Sequence, residues 1–119
     1  MKKELTEQEL HQLAMNIVGK DLEKQGFEFL AVNSKLKKNP QFVIQKEKQM
    51  SFVVVRAICH PQKVSELDKE LMRKIKDHAI KFEADTYYAP VGLGHGDDFE
   101  RPVVKDEAYS LLYPGIKKV

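Results

Sequence analysis

Near the start of the chain, Leu10, Leu13, Ala14, Ile17, Val18 and Leu22 fall at spacings of three and four. That period places them on one face of an α-helix. Thr6 and Glu9 form a Thr-x-x-Glu capping box ahead of the stripe. Gly26 is placed to end it in a left-handed conformation. A helix is therefore predicted from Thr6 to Gln25. The pattern then shifts to short runs of aromatic and β-branched residues, which read as strands. These are Phe27 to Asn33, Gln41 to Lys46 and Ser51 to Cys59. Pro40 cannot donate to a β-ladder, so the second strand begins after it. "EKQM", residues 47–50, reads as the turn between the second and third strands.

"FVVV", Phe52 to Val55, is apolar at consecutive positions. A strand with that pattern is buried on both faces and belongs at the centre of a sheet. Ser65 and Asp68 resemble a second capping signal, and Leu67, Leu71, Ile75, Ala79 and Phe82 carry a helix to about Glu83. "DTYYAPVGL", residues 85–93, predicts a fourth strand, with Pro90 placing it at an edge or ending it early. Tyr109, Leu111 and Tyr113 alternate with a period of two in the tail, which predicts a last strand. "YPGIKKV" at the end also reads as a docking tail.

Short connections make the first three strands an antiparallel meander. The second helix then serves as a crossover that returns the fourth strand parallel to the third. The expected fold is an α/β sandwich in the order α-β-β-β-α-β with a mixed sheet. At 119 residues the chain fits one domain, residues 1–119. Composition adds that the chain can bury a core: 42% is hydrophobic and 32% charged. The net charge of +2, from 20 basic and 18 acidic residues, lacks the basic excess of a typical nucleic-acid binder. One cysteine, Cys59, makes no internal disulfide and suits a reducing cytoplasm. No apolar run is long enough to span a bilayer.

Two stretches, "LEKQGFEFLAVN" (residues 22–33) and "NPQFVIQKEKQMSFVVVR" (residues 39–56), carry a resemblance. A helix end, a glycine, an aromatic strand and a hairpin at this spacing resemble the PD-(D/E)XK nuclease superfamily. The resemblance is in particular to its small Holliday-junction-resolvase-like branch. The resemblance covers the first half of the chain by residues, and runs to about residue 90 by element order. It implies a restriction-endonuclease-like α/β sandwich. In that family an Asp on the second strand and a Glu-x-Lys on the third hold Mg²⁺ and orient the attacking water. Laid on this chain by spacing, those positions become Gln41, Val54 and Arg56. Mg²⁺ requires hard carboxylate oxygens. Gln offers a neutral carbonyl and Val offers no ligand, so the resemblance implies the fold without the catalytic residues or the metal.

Other residues with chemical potential have narrower readings. Cys59-His60-Pro61 ends the third strand, but adjacent side chains on a strand face opposite sides, and a closed zinc site takes four ligands. An iron–sulfur cluster needs four thiolates, against one here. "GLGHGDDFERP", residues 92–102, lacks the third glycine of a dinucleotide fingerprint and opens no helical pattern. Its His95, Asp97 and Asp98 remain candidates for binding a divalent ion or for acid–base work, against the reading of a solvated loop with turn glycines. Lys35, Lys37 and Lys38 form the densest basic spot, with phosphate contact or a solvated turn as alternatives. Arg56 reads either as a phosphate-binding relic or as a strand-end arginine that pairs or snorkels out. Tyr87, Tyr88, Tyr109 and Tyr113 come together if the tail pairs with the fourth strand. The expected function is that of a cytoplasmic, cofactor-free, non-catalytic domain that binds a protein partner. The alternative is a divergent metal-dependent nuclease or nucleic-acid-binding protein.

Overall fold

The computed structural model describes residues 3–35, 39–59, 68–105 and 107–119. Its elements are α1 (Glu7–Lys24), β1 (Glu28–Val32), β2 (Phe42–Lys46), β3 (Gln49–Ile58), α2 (Lys69–Ile80), β4 (Asp85–His95), β5 (Tyr109–Leu112) and β6 (Lys117–Lys118). The strands form one sheet in the order β1-β2-β3-β4-β5, with β6 also on β4. The β1–β2 and β2–β3 pairs are antiparallel, and β3–β4 is parallel. The α-β-β-β-α-β mixed sandwich anticipated from the pattern is the fold observed.

Local chemistry accounts for the element ends. Thr6 caps α1, with its side chain accepting from Glu9 N–H and the Glu9 carboxylate accepting from Thr6 N–H. Those hydrogen bonds hold the Glu9 carboxyl below the usual carboxylate range. Gly26 follows with φ +88°, where a Cβ would be strained. The β2–β3 turn is tighter than the four residues expected. Lys46 pairs with Gln49, leaving only Glu47 and Lys48 between them. Both have positive φ, 53° and 68°, the backbone of a type I′ hairpin. Asp68 caps α2, accepting from Leu71 N–H at 3.0 Å; Ser65 and Leu67 lie outside the described residues.

Two layers cover the sheet. On one face, Ala14, Val18 and Leu22 of α1 pack against Ile44, Val53, Val55, Ala89, Val91 and Leu93. On the other, Met72 and Ile75 of α2 pack against Val54 and Tyr88, with Phe52, Ala79 and Ala84 continuing that layer. Val53, Val54 and Val55 are all fully buried, as the unbroken apolar run requires.

The fourth strand departs from expectation. β4 is internal and extends to His95, with Pro90 inside it. Its outer neighbour is interrupted: β5 pairs with residues 92–95 and β6 with residues 87–88. Pro90 falls opposite that gap, where its missing N–H leaves no outer ladder partner unmet. The tail is therefore a broken sheet strand and not a free docking tail. Tyr113 sits in the break and donates to Asp21 Oδ2 of α1 at 2.7 Å. The tyrosines gather only in part: Tyr87 and Tyr113 pack against the α1-side core, Tyr88 lies in the α2 layer and Tyr109 is exposed.

Burial, and then the Asp21 hydrogen bond, raise the Tyr113 phenol above its ordinary value. The folded state thus holds this proton more tightly than the unfolded state. Its stabilisation is intact below the unfolded pKa of about 10 and declines as pH rises beyond it. Tyr113→Phe is expected to cost about 1.5 kcal/mol at neutral pH and to remove that alkaline decline. Urea unfolding across pH measures both.

Candidate functional site

The family-like positions Gln41, Val54 and Arg56 lie at the end of the β2–β3 hairpin where β2 gives way to Pro40. Val54 is fully buried against the α2 layer. Gln41 is also fully buried. Its side-chain oxygen accepts from Val55 N–H at 2.8 Å, and its amide nitrogen donates to Asn39 Oδ1 at 3.0 Å. The Gln41 oxygen thus serves the β3 edge as a ladder acceptor just where β2 has ended. Arg56 joins the same group: Nη2 donates to Asn39 Oδ1 and Nη1 to Val55 O, each at 2.8 Å. Asn39 therefore links Gln41 to Arg56, a contact that no spacing rule indicates. Burial holds the Arg56 guanidinium below the usual arginine range, opposed by Tyr88 and Asp68. Arg56 neither snorkels free nor forms an ion pair among the described residues.

Beside this group, His11 of α1 is 2% exposed and its Nε2 has no hydrogen-bond partner among the described residues. It fills a place in the apolar stripe of α1, so the helical period hid it as a polar core residue. Burial, reinforced by the Arg56 charge and opposed by Glu7, pushes its imidazole pKa down.

The second candidate, His95 with Asp97 and Asp98, ends β4. His95 is buried, while Asp97 and Asp98 are exposed. Asp97 N–H donates to His95 Nδ1 at 3.1 Å, and the Asp97 carboxylate is 3.9 Å from that nitrogen. On the opposite ring edge, Nε2 lies 3.5 Å from Glu107 Oε1. The two acids address opposite sides of the imidazole and do not converge with it on one point. Among the described residues no group of three His, Cys, Asp or Glu is placed to hold a metal ion. Asp98 instead caps a turn, accepting from Glu100 N–H at 3.0 Å. Gly94 is a packing residue rather than a turn residue. Gly92 and Gly94 belong to β4, and a Cβ on Gly94 would meet the Phe99 backbone, 2.7 Å from its Cα.

Of the basic turn, Lys35 is exposed and its N–H donates to Asn33 Oδ1; Lys37 and Lys38 lie outside the described residues. Cys59 is half-buried, which pushes its thiol pKa up and makes it a poor nucleophile; His60 lies outside the described residues.

A further feature was not legible in the pattern: a groove of about 310 Å³ between α1 and β1. Met15, Gly19, Phe29 and Phe42 form its apolar floor, and Lys20 and Glu23 stand on its helical wall. Phe29 and Phe42 meet edge to face, 5.5 Å apart. Among the described residues β1 has a ladder partner on one side only, and Leu30 and Val32 on it are 43% and 59% exposed.

Set against known proteins, the chain belongs to the family described as a domain of unknown function (DUF8840), whose model matches residues 8–119. No curated protein matches the chain.

Two outcomes follow for the buried polar group. Gln41→Ala strands the Val55 N–H and opens a cavity, at an expected cost of about 3 kcal/mol, read from the urea midpoint. For His11, a lowered folded pKa means that the unfolded state takes up the proton first. Stability is expected to be intact above about pH 6.5 and to fall as pH drops below it. His11→Leu should abolish that acid sensitivity without lowering stability at neutral pH, as thermal melts across pH would show.

Proposed function

We propose that this chain is a non-catalytic domain of the nuclease-like kind, acting by binding a protein partner. The observation that carries the reading is the state of Gln41. At the position where a nuclease of that kind holds a metal-binding carboxylate, this chain has a buried neutral amide bonded to Val55 N–H and Asn39. A shift of register would not restore the site, since Val53, Val54 and Val55 are all buried hydrocarbon. Mg²⁺ chemistry needs oxygen ligands open to the ion and to the phosphate, and residues 41, 54 and 56 of the hairpin offer none. Among the described residues of the His95 loop, Asp97 and Glu107 flank the ring from opposite edges and do not converge on one point.

The groove beside β1 supports a binding role. It joins an apolar floor to an uncovered sheet edge, the combination by which extended segments are recognised. A nucleic-acid face would call for a segregated basic surface. The near balance of charge and the mixed Lys20–Glu23 wall do not supply one. No helix among the described residues is long and apolar enough to cross a membrane. The single thiol suits a cytoplasmic setting for the proposed partner.

The test combines activity with capture. Incubated with duplex and branched DNA plus Mg²⁺, the protein is expected to cleave nothing. On affinity purification it should retain a polypeptide at near-equal stoichiometry through a high-salt wash. Cleavage that disappears in Asp97→Asn would establish the divergent-enzyme alternative. Retention of nucleic acid that salt strips off would establish the nucleic-acid-binding one, since counterion release makes such binding steeply salt-dependent.

A further inference from the structure

Arg56 is a cation held where the chain supplies no anion. The β2–β3 ladder ends at the Phe42–Val53 pair, so the β3 edge at Val55 is met by side chains. Gln41 Oε1 accepts from Val55 N–H, and Arg56 Nη1 donates to Val55 O. Arg56 Nη2 donates to Asn39 Oδ1, which also accepts from Gln41 Nε2. Gln41 is fully buried, so a fixed neutral frame orients the guanidinium. Those bonds use two of the five N–H groups that an arginine carries. Both acceptors are neutral oxygens, and no carboxylate among the described residues lies within ion-pair distance. A part-buried guanidinium in that state is costly unless an anion completes it.

A neighbouring side chain is left open at the same place. Val54 is the register partner of Tyr88 across the parallel β3–β4 pair. Residues two apart on a strand share a face, so Arg56 rises on the Tyr88 side, one diagonal step along. Tyr88 is 6% exposed, and among the described residues its hydroxyl is neither hydrogen-bonded nor fully enclosed. Burial raises its pKa, against the opposing Arg56 charge, so the phenol keeps its proton at neutral pH and can donate. His11 Nε2 is a second polar atom left without a partner among the described residues, and the Arg56 charge reaches that ring. Buried polar atoms of a native protein are nearly always satisfied.

Charge decides which anion fits. The other charges acting on Arg56 are those of Tyr88 and Asp68, both negative when ionised. Asp68 already accepts from Leu71 N–H as the cap of α2. One guanidinium beside that acid suits a single negative charge and disfavours a phosphate dianion. Resting on the protein-binding reading above, we infer that Arg56 and the Tyr88 hydroxyl form a binding site for a carboxylate of the protein partner. The unused N–H groups of the fork match the two oxygens of a carboxylate, and the phenol adds a further donor.

The test titrates the full labelled protein with sodium acetate, against sodium chloride at matched ionic strength, and follows the Arg56 Nε–H signal by NMR. Acetate is expected to shift it saturably, with a Kd of about 10–100 mM, while chloride leaves it in place. Acetate should also raise the His11 pKa, because it offsets the Arg56 charge that lowers it. Inorganic phosphate is expected to bind no tighter than acetate. Arg56→Gln should abolish the response and retain the melting temperature, since it removes an uncompensated charge. Tyr88→Phe, which removes no hydrogen bond among the described residues, should weaken acetate at least threefold and keeps the test valid if Arg56→Gln unfolds. A partner retained on affinity purification should lose at least tenfold in affinity for Arg56→Gln. The inference is overturned if acetate gives no saturable shift, if phosphate binds tighter, if Tyr88→Phe binds acetate as before, or if a retained partner binds Arg56→Gln unchanged. That last result leaves the protein-binding reading standing. An acetate response with no partner retained overturns that reading and the partner as source of the carboxylate.

Discussion

Val53, Val54 and Val55 have no exposed surface, and consecutive side chains on a strand point to opposite faces. Such a strand is stable only where both faces of the sheet are covered. The covering layers, α1 through Val18 and Leu22 and α2 through Met72 and Ile75, follow from that demand. So does the parallel partner β4, since the crossover that brings α2 onto the second face also delivers the next strand beside β3. The centre of the sheet is thus closed on both faces, and polar function is confined to its ends and edges.

At the end of the hairpin, the same burial decides what Gln41 is for. Where β2 stops at Pro40, the β3 backbone still has an amide to satisfy in a dry environment. A neutral side-chain amide does this without a buried charge, whereas an unpaired carboxylate would be costly there. Asn39 then relays the network to Arg56, whose guanidinium is held by neutral oxygens. A site suited to a hard cation and this arrangement are mutually exclusive uses of one position. The sheet edges differ in kind. β4 is closed by the broken β5–β6 strand, latched to α1 through Tyr113 and Asp21, while β1 has no second ladder partner among the described residues.

Much of this was legible before any coordinates. The helical stripe with its Thr6–Glu9 cap, the Gly26 stop, the strand order and the doubly buried third strand all rest on local chemistry and on side-chain period. Both are written in consecutive residues. The absence of a carboxylate pair in the hairpin is equally a property of the chain alone. What misled was local punctuation read without its neighbours. Pro90 suggested an edge, yet an internal strand accepts it because the outer strand is broken opposite it. The glycines near His95 looked like turn residues, yet Gly94 is there so that the Phe99 backbone can lie against β4.

The remaining features depend on residues far apart in the chain. The Gln41–Asn39–Arg56 network, the unpartnered His11 beneath it, the placement of Glu107 against His95 and the groove between α1 and β1 each join separate elements. Period and propensity report which face a residue takes within its own element. They do not report which other element comes to lie against that face, or at what register. The sequence alone determined the layers, the order of the strands and the neutral or apolar side chains at residues 41 and 54, with an arginine at 56, because each is a consequence of neighbouring residues. Only the tertiary structure decided which elements meet around these residues, because that depends on where α1 and α2 pack across the sheet and at what register the strands pair.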